Sequence, residues 1–531
     1  MKRYFSVVIF LSSVILLFFL ISMKQEKFVY SGLVHTTDDI GQLKSERNKA
    51  GTNLLSAIYF NDYPLFYDEL TGRWFYSVSP EKPVLDPTIR FSSNTREEVL
   101  IAFSGIISPG ETIPFIAYTR EEYSEYELAV TTLPMIRIEG YEESLLLLQN
   151  RVKFTLFDNR PSVNQRIVTS EGWFHIRGHG SVEYDKRSYR LTLLAKGPKR
   201  DSQENQTSIL GLRPDGDWLL YAGYNDQEKI RNVFSSNLWL NSCGEDNSFG
   251  IRNGNEYRFV ELFLDKKYWG LYAIGYPIDG RQMNILPGAS GRYNEYLFKQ
   301  SLWGPYPEYT NPERDNLVFQ FAADEEDIED GYRLLKTYYD HIYNGAPNGL
   351  MYNDKDNALD IWLYLNLIQA EDSVKKKWDL VNNLIYAIKN SKEGIKILYT
   401  PWDMDRAWGN MFGYEYPNTT SPYALDPNDN GYIMKLNPVT VLQTQSSEIN
   451  RQIKRRYAEL RADQWSEEVI GNMLSQFEDD IYHSGAYLRE MERWPDGSYQ
   501  DPSIGLSKFR EYVFTRLKSL DGFIESLPIS E

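Results

Sequence analysis

The chain is poor in the residues that several common chemistries require. Its 531 residues hold one cysteine, Cys243, which excludes an internal disulfide and any multi-cysteine zinc site. The five histidines (His35, His175, His179, His341, His483) form no His-Glu-x-x-His metal helix. No Gly-x-Ser-x-Gly elbow is present, so a serine hydrolase of that type is excluded. Positive charge is also scarce. Fifty-seven Lys and Arg stand against 74 Asp and Glu, and the formal charge of -17 argues against a nucleic-acid backbone as partner. It is compatible with a basic protein substrate.

Aromatic side chains are plentiful: 15 % of the chain, with 39 Tyr and 12 Trp. They suit large β-sheet cores or sugar-stacking surfaces, and a glycosidase would additionally need a carboxylate pair flanking its cleft. The length allows about three domains, or two large ones. Lys2-Arg3 precede Phe5 to Met23, a run without charge. At about 1.5 Å per residue this run nearly spans a bilayer core as a helix. The basic flank predicts a cytoplasmic N-terminus with the bulk of the chain at the cell surface. Cleavage as a signal peptide, giving a secreted protein, is the rival; no small-x-small site follows, which favours the anchor.

Residues 24–50 read as a polar stalk. Between 51 and 132, short runs such as Ser56–Phe60, Arg73–Ser77 and Val99–Phe103 predict a small, antiparallel, all-β domain. A second β-rich segment spans 133–300. From about Asp330 the apolar period becomes helical, so 301–531 reads as a helical part with one embedded hairpin.

That hairpin carries the chemistry. Leu384–Ile388 and Ile395–Tyr399 predict two buried strands around a turn at Asn390–Gly394. Asp372, Asp379, Asn382 and Asn383 lie before it, and Pro401-Trp402-Asp403-Met404-Asp405 follow it. Acidic and amide groups at both mouths of one hairpin suit magnesium, which takes hard oxygen ligands and leaves room for phosphates and water. Upstream, Gly178-His179-Gly180-Ser181 forms a glycine turn able to cradle phosphate, although a plain hairpin turn has the same look. Lys186 follows on an expected strand, in the order glycine loop then lysine found in kinases.

Several of these motifs resemble the CotH family, the spore coat protein H-like atypical protein kinases. The pairing of WD…NNLIY with PWDMDRAWG carries the resemblance. So do Arg177–Ser181 with Lys186–Arg190 (RGxxS…KxxYR), Asp226 with Ile230-Arg231-Asn232, and the hairpin VELFLDKKYWGLY. The resemblance implies an α+β, protein-kinase-like two-lobe domain: a β-rich N-lobe and a helical C-lobe. The small β domain and the membrane helix would precede it. It implies ATP and Mg2+, and transfer of the γ-phosphoryl group to Ser or Thr of a surface or coat protein, with a basic, Ser-rich protein as the candidate substrate.

By the same resemblance Asp379, or alternatively Asp372, acts as catalytic acid. Asn383, Asp403 and Asp405 hold the metal, and Gly178, Gly180, Ser181, Lys186 and Arg177 bind nucleotide. Arg190 is a further phosphate contact or an ion-pair partner on the sheet, and Lys299 a second phosphate lysine or a solvated strand end. Glu228 is either the glutamate partner of Lys186 or an exposed first-turn residue. Gly275-Tyr276 replaces a Thr-Glu pair usual in relatives. That departure motivates the alternative of a non-catalytic pseudokinase, a surface or coat-assembly and adhesion protein.

Overall fold

Alternating apolar residues between Leu54 and Val130 lay one face of each strand inward, as their sequence pattern predicts. The computed structural model describes residues 28–30, 34–36, 40–142, 149–163, 166–178, 180–195, 203–288, 294–301, 317–324, 328–344, 351–375, 380–412, 420–435, 437–444 and 446–529. The expected membrane segment, 1–23, lies outside them. Among the described residues no helix is long and apolar enough to cross a membrane. The chain divides into two compact units, 1–132 and 133–531.

The first unit contains a four-stranded and a seven-stranded sheet. Leu55, Ile58, Phe60, Trp74, Phe91, Ile101, Phe115 and Leu128 share one core. Two expectations need correction here. The polar segment 24–50 is not simply a stalk: Phe28–Tyr30 pairs with Ile89–Ser93, Val34–Thr36 with Leu100–Phe103, and Asn48–Lys49 with Glu122–Thr131. Short runs too small to hold a face of their own thus complete sheet edges. The unit is also not purely antiparallel, since Arg73–Ser77 lies parallel to Glu127–Thr131.

The second unit begins with a closed barrel. Its strands are β1 (Met135–Glu139), β2 (Asn150–Phe157), β3 (Ile167–Arg177), β4 (Ser188–Leu194), β5 (Asp217–Tyr221), β6 (Tyr257–Leu264) and β7 (Lys267–Gly275). The order around the barrel is β1-β2-β3-β4-β5-β7-β6, closed by a parallel pairing of β1 with β6. Side chains of period two, among them Ile136, Phe154, Phe174, Leu191, Trp218, Val260 and Ile274, fill its interior.

Helix α1 (Arg231–Ser242) follows β5 and is buried on nearly every side. The outward face of the barrel, α1 and the C-terminal helices share a second core containing Phe234, Phe259, Leu271, Trp362, Trp408 and Phe509. A four-stranded sheet of order β9-β8-β10-β11 is built from β8 (Tyr296–Gln300), β9 (Leu317–Ala322), β10 (Leu384–Ser391) and β11 (Gly394–Pro401). A boundary at 300 therefore cuts a sheet, because β8 pairs with β10 rather than with the barrel. The longer helices of the rest of the unit are α2 (Ile328–Tyr343), α3 (Lys355–Ile368), α4 (Glu448–Ala462), α5 (Glu467–Glu478), α6 (Ala486–Arg493) and α7 (Ser507–Ser526). The Ser466 side chain caps α5 by accepting from Val469 N at 3.2 Å. The architecture is mixed α+β.

Candidate active site

The hairpin β10–β11 forms because both strands are nearly continuous apolar runs with their inner ends fully buried. A two-residue turn joins them, with Ser391 Oγ donating to Gly394 O at 2.7 Å. Leu384 pairs with Pro401, so the residues just outside the hairpin, Asn383 and Trp402, become neighbours. Trp402 N donates to Asn383 O at 3.3 Å. Asn383 and Asp403 both take left-handed backbone conformations, at φ 51° and 59°. Such strain is uncommon outside glycine, and Asn and Asp tolerate it best. It turns their side chains out of the strand path at the mouth of the hairpin.

These groups meet. Asn383 Nδ2 donates to Asp372 Oδ2 at 3.0 Å and to Asp403 O at 3.3 Å. Its Oδ1 accepts no hydrogen bond among the described residues, leaving a carbonyl oxygen available as a ligand. Asn232 on α1 holds the corner from below, Oδ1 accepting from Met404 N at 2.9 Å. Burial first, then the Asp403 carboxylate, pushes Asp405 up to about 8, with Asp372 and Asp226 adding to the repulsion. The Asp405 side chain keeps 25 % of its surface exposed. The part of that shift due to neighbouring carboxylates is what a bound cation would relieve.

A cleft of about 850 Å³ opens over this corner. The barrel end contributes Arg177, Gly178, Ser181 and Tyr221; the sheet contributes Lys299; the hairpin mouth contributes Asp372, Asn383, Trp402, Asp403 and Asp405. Tyr184 and Tyr224 stack at its wall with centroids 5.4 Å apart. Gly178 has φ +124°, and a Cβ there would stand 2.1 Å from Ser181 Oγ, so the turn accepts only glycine.

A family model described as CotH kinase protein matches residues 174–520, well over half of the chain. The chain belongs to the CotH kinase family. A search of curated proteins found no match. Every cleft residue named above lies inside the segment matched to the CotH family.

The expected CotH site residues do not all take their expected parts. Asp379 lies outside the described residues, whereas the alternative, Asp372, sits on the cleft wall bonded to Asn383. Gly178, Ser181 and Arg177 line the cleft, and Gly180 starts the short helical turn Gly180–Glu183. Lys186 is also among the residues lining the cleft, but its setting differs from the expectation. It precedes β4 rather than lying on it, and its ammonium is fully buried. Its three N–H groups go to Ala222 O (2.7 Å), Leu271 O (2.5 Å) and Glu490 Oε1 (2.6 Å), and its charge lies over the Tyr272 ring. No donor is left for a phosphate in this state. Burial pushes the Lys186 pKa down, and Glu490 opposes that shift.

Glu228 is neither exposed nor the partner of Lys186. It is fully buried, ion-pairs with Arg231 beside Asp226, and accepts from the Tyr423 hydroxyl. Arg190 is an ion-pair partner on the sheet, its Nε 2.9 Å from both Asp217 oxygens. Gly275 fits where it stands because a Cβ would meet Tyr257 Cδ1 at 2.5 Å and Glu256 O at 2.6 Å. Tyr276 is buried beneath the Arg213 guanidinium, 4.4 Å from its ring centroid. The substitution of Thr-Glu by Gly-Tyr is thus built into the packing.

Sequence reading missed Glu490 and Asn232. Glu490 is 304 residues from Lys186, and no local pattern announces it. Asn232 stood in a recognised motif but gave no sign of reaching Met404. Among the described residues no group of three or more His, Cys, Asp or Glu forms a complete cation cage. The donor set that does converge is two aspartates and an amide oxygen. That set fits magnesium, which commonly keeps waters and takes its other ligands from substrate phosphates.

Proposed function

We propose that the chain is an ATP-dependent protein kinase of the CotH kind, with a kinase-like division between its barrel and its helical part. The observation that carries this reading is the hairpin mouth, where Asn383, Asp372 and the Asp403–Asp405 corner converge on one cleft beside a glycine turn. Asn383, Asp403 and Asp405 would hold Mg2+, which neutralises phosphate charge when bound. Asp372 orients the substrate hydroxyl and takes its proton as that oxygen bonds to the γ-phosphorus. The bond from the γ-phosphorus to the bridging oxygen breaks, and ADP leaves. Asn383 keeps the Asp372 carboxylate turned to the cleft through its 3.0 Å hydrogen bond. Catalysis of this type rests on positioning and electrostatics rather than covalent chemistry.

The net charge of -17 suits a basic protein substrate, here Ser- or Thr-bearing proteins of a surface or coat. Residues 1–23 are proposed as the anchor that keeps the catalytic part outside the cytoplasm. Deleting them should move the protein from the membrane fraction to the soluble one. The test of the kinase reading is thermal stabilisation by ATP with Mg2+, abolished in Asp403→Ala. A second reading, a non-catalytic surface protein, is favoured by the commitment of Lys186 to Glu490, and it predicts no shift at millimolar nucleotide.

A further inference from the structure

Beyond the cleft, a second cavity of about 210 Å³ opens between the end of α5 and the turn that leads into α7. It shares no lining residue with the cleft. Ligands of drug size fill about 300–1,000 Å³, so this space suits a single side chain. Its walls are Tyr482, Tyr487, the exposed Leu488 and the stretch Pro502–Gly505, with Glu478 and His483 completing them.

These walls are held in place by their own hydrogen bonds. Between α5 and α6 the chain makes a π-helical turn, Asp479–His483, a winding that is rare and recurs where a helix serves a site. The two tyrosine rings stack with centroids 4.5 Å apart. Gln500 Nε2 donates to the Tyr482 hydroxyl at 2.9 Å and to Gly505 O at 2.5 Å, and the Tyr487 hydroxyl donates to Gln227 O at 2.6 Å. Gly505 has φ +55°, and a Cβ there would stand 2.2 Å from Glu478 Oε1, so only glycine lets this wall close over the carboxylate.

That carboxylate is half spent. Its Oε1 accepts from Leu506 N at 2.9 Å. Its Oε2 accepts no hydrogen bond among the described residues, and Arg510 Nη2 stays 3.7 Å away, donating instead to Ser475 Oγ. At the rim a second carboxylate, Asp479, stands 2.7 Å from His483 Nδ1. An aromatic wall beside an unspent carboxylate oxygen recognises a cation on an apolar stem. A guanidinium fits best, because its plane packs on rings and its fork bonds a carboxylate. The chain packs its own Arg493 in this way, 4.4 Å from the Trp269 centroid and 4.1 Å from that of Trp494. The net charge of -17 favours a basic partner.

We propose that this cavity docks an arginine side chain of a basic polypeptide, at a site separate from the phosphotransfer cleft. The assignment does not rest on phosphotransfer, and binding should need neither ATP nor Mg2+.

Fluorescence anisotropy of a labelled, alternating Arg-Gly peptide with the full chain, in the absence of nucleotide and metal, tests it. Glycine leaves the peptide no hydroxyl to phosphorylate. Glu478→Gln keeps an acceptor for Leu506 N and should weaken binding by about fivefold or more. Leu488→Arg, at an exposed position, sets a competing guanidinium at the rim and should weaken it by at least about as much. Glu393→Gln, on the exposed β10–β11 turn, removes the same charge and should leave binding within about twofold. Peptides with Lys, Gln or Leu in place of Arg should bind wild type more weakly, and a far-ultraviolet melt checks that each variant folds. The proposal is overturned if wild type does not bind the Arg-Gly peptide, if Glu393→Gln weakens it as much as Glu478→Gln, or if Leu488→Arg binds as wild type does. Equal binding of the Lys or Leu peptide overturns the assignment to arginine. ATP binding by the same samples is read separately: its absence beside Glu478-dependent peptide binding removes the kinase reading and leaves the docking site, and the reverse result removes only the docking site.

Discussion

Replacing Lys186 separates a structural ammonium from a phosphate-binding one, and the two roles differ in sign with pH. In Lys186→Met, Glu490 stays buried and keeps, among the described residues, the Leu271 N–H as donor, at 2.8 Å. Its cheapest course is to take up a proton on folding. With an unfolded pKa near 4.3, that costs about 1.4 kcal/mol per pH unit above it: roughly 1 kcal/mol at pH 5 and roughly 3.7 at pH 7. The carbonyls of Ala222 and Leu271 also lose a donor, adding about 1 kcal/mol each.

Glu490→Gln leaves the ammonium without its carboxylate. It must shed a proton on folding, at a cost approaching roughly 4.6 kcal/mol at pH 7 and shrinking as pH rises toward 10.4. The two single variants should therefore show opposite pH slopes. The double variant Lys186→Met/Glu490→Gln should lose less than the sum, with a coupling of about 3 kcal/mol or more. Urea unfolding followed by tryptophan fluorescence at pH 5, 7 and 9 measures all of this. If Lys186→Met costs under about 1 kcal/mol at every pH while ATP binding collapses, the buried-pair reasoning is wrong and Lys186 belongs to the phosphate site.

Three further outcomes are expected. Asp372→Asn should lower turnover by about 10²- to 10⁴-fold with ATP affinity changed only severalfold, measured by steady-state kinetics beside direct titration. Gly275→Thr should destabilise by about 1–3 kcal/mol in urea unfolding, since its Cβ would press on Tyr257 and the Glu256 carbonyl. Lys229 donates to the carbonyls of Gly223, Tyr224 and Ser498, and burial lowers it to about 7 from an ordinary 10.5. The unfolded chain then binds the extra proton, so stability should rise as pH goes from about 7 toward 10.5. The slope should approach about 1.4 kcal/mol per unit, and Lys229→Met should remove it.

The hairpin and its mouth were legible because their information is local. Apolar runs at 384–388 and 395–399, a Ser-Lys-Glu-Gly turn and polar groups on either side place Asn383 and Asp403 together once the strands pair. The capping serine at 466 and the helical stripes of α2 and α7 were legible for the same reason. What escaped depends on distant partners. The closure of the barrel joins β1 to β6 across more than a hundred residues, and the reassignment of Lys186 depends on a glutamate in α6. Sequence order suggested a phosphate lysine, and tertiary packing gave that ammonium another acceptor. The strands at 28–30 and 34–36 are too short for periodicity to reveal, and they form only because a sheet edge is waiting.

Transfer of the labelled γ-phosphoryl group from ATP to a basic, Ser-rich protein, compared between wild type and Asp403→Asn with and without Mg2+, tests the central claim most directly. The account predicts incorporation that needs the metal and falls by about three orders of magnitude or more in the variant. Incorporation indifferent to Asp403 and to Mg2+, or none from a wild-type protein that also binds no ATP, would contradict it.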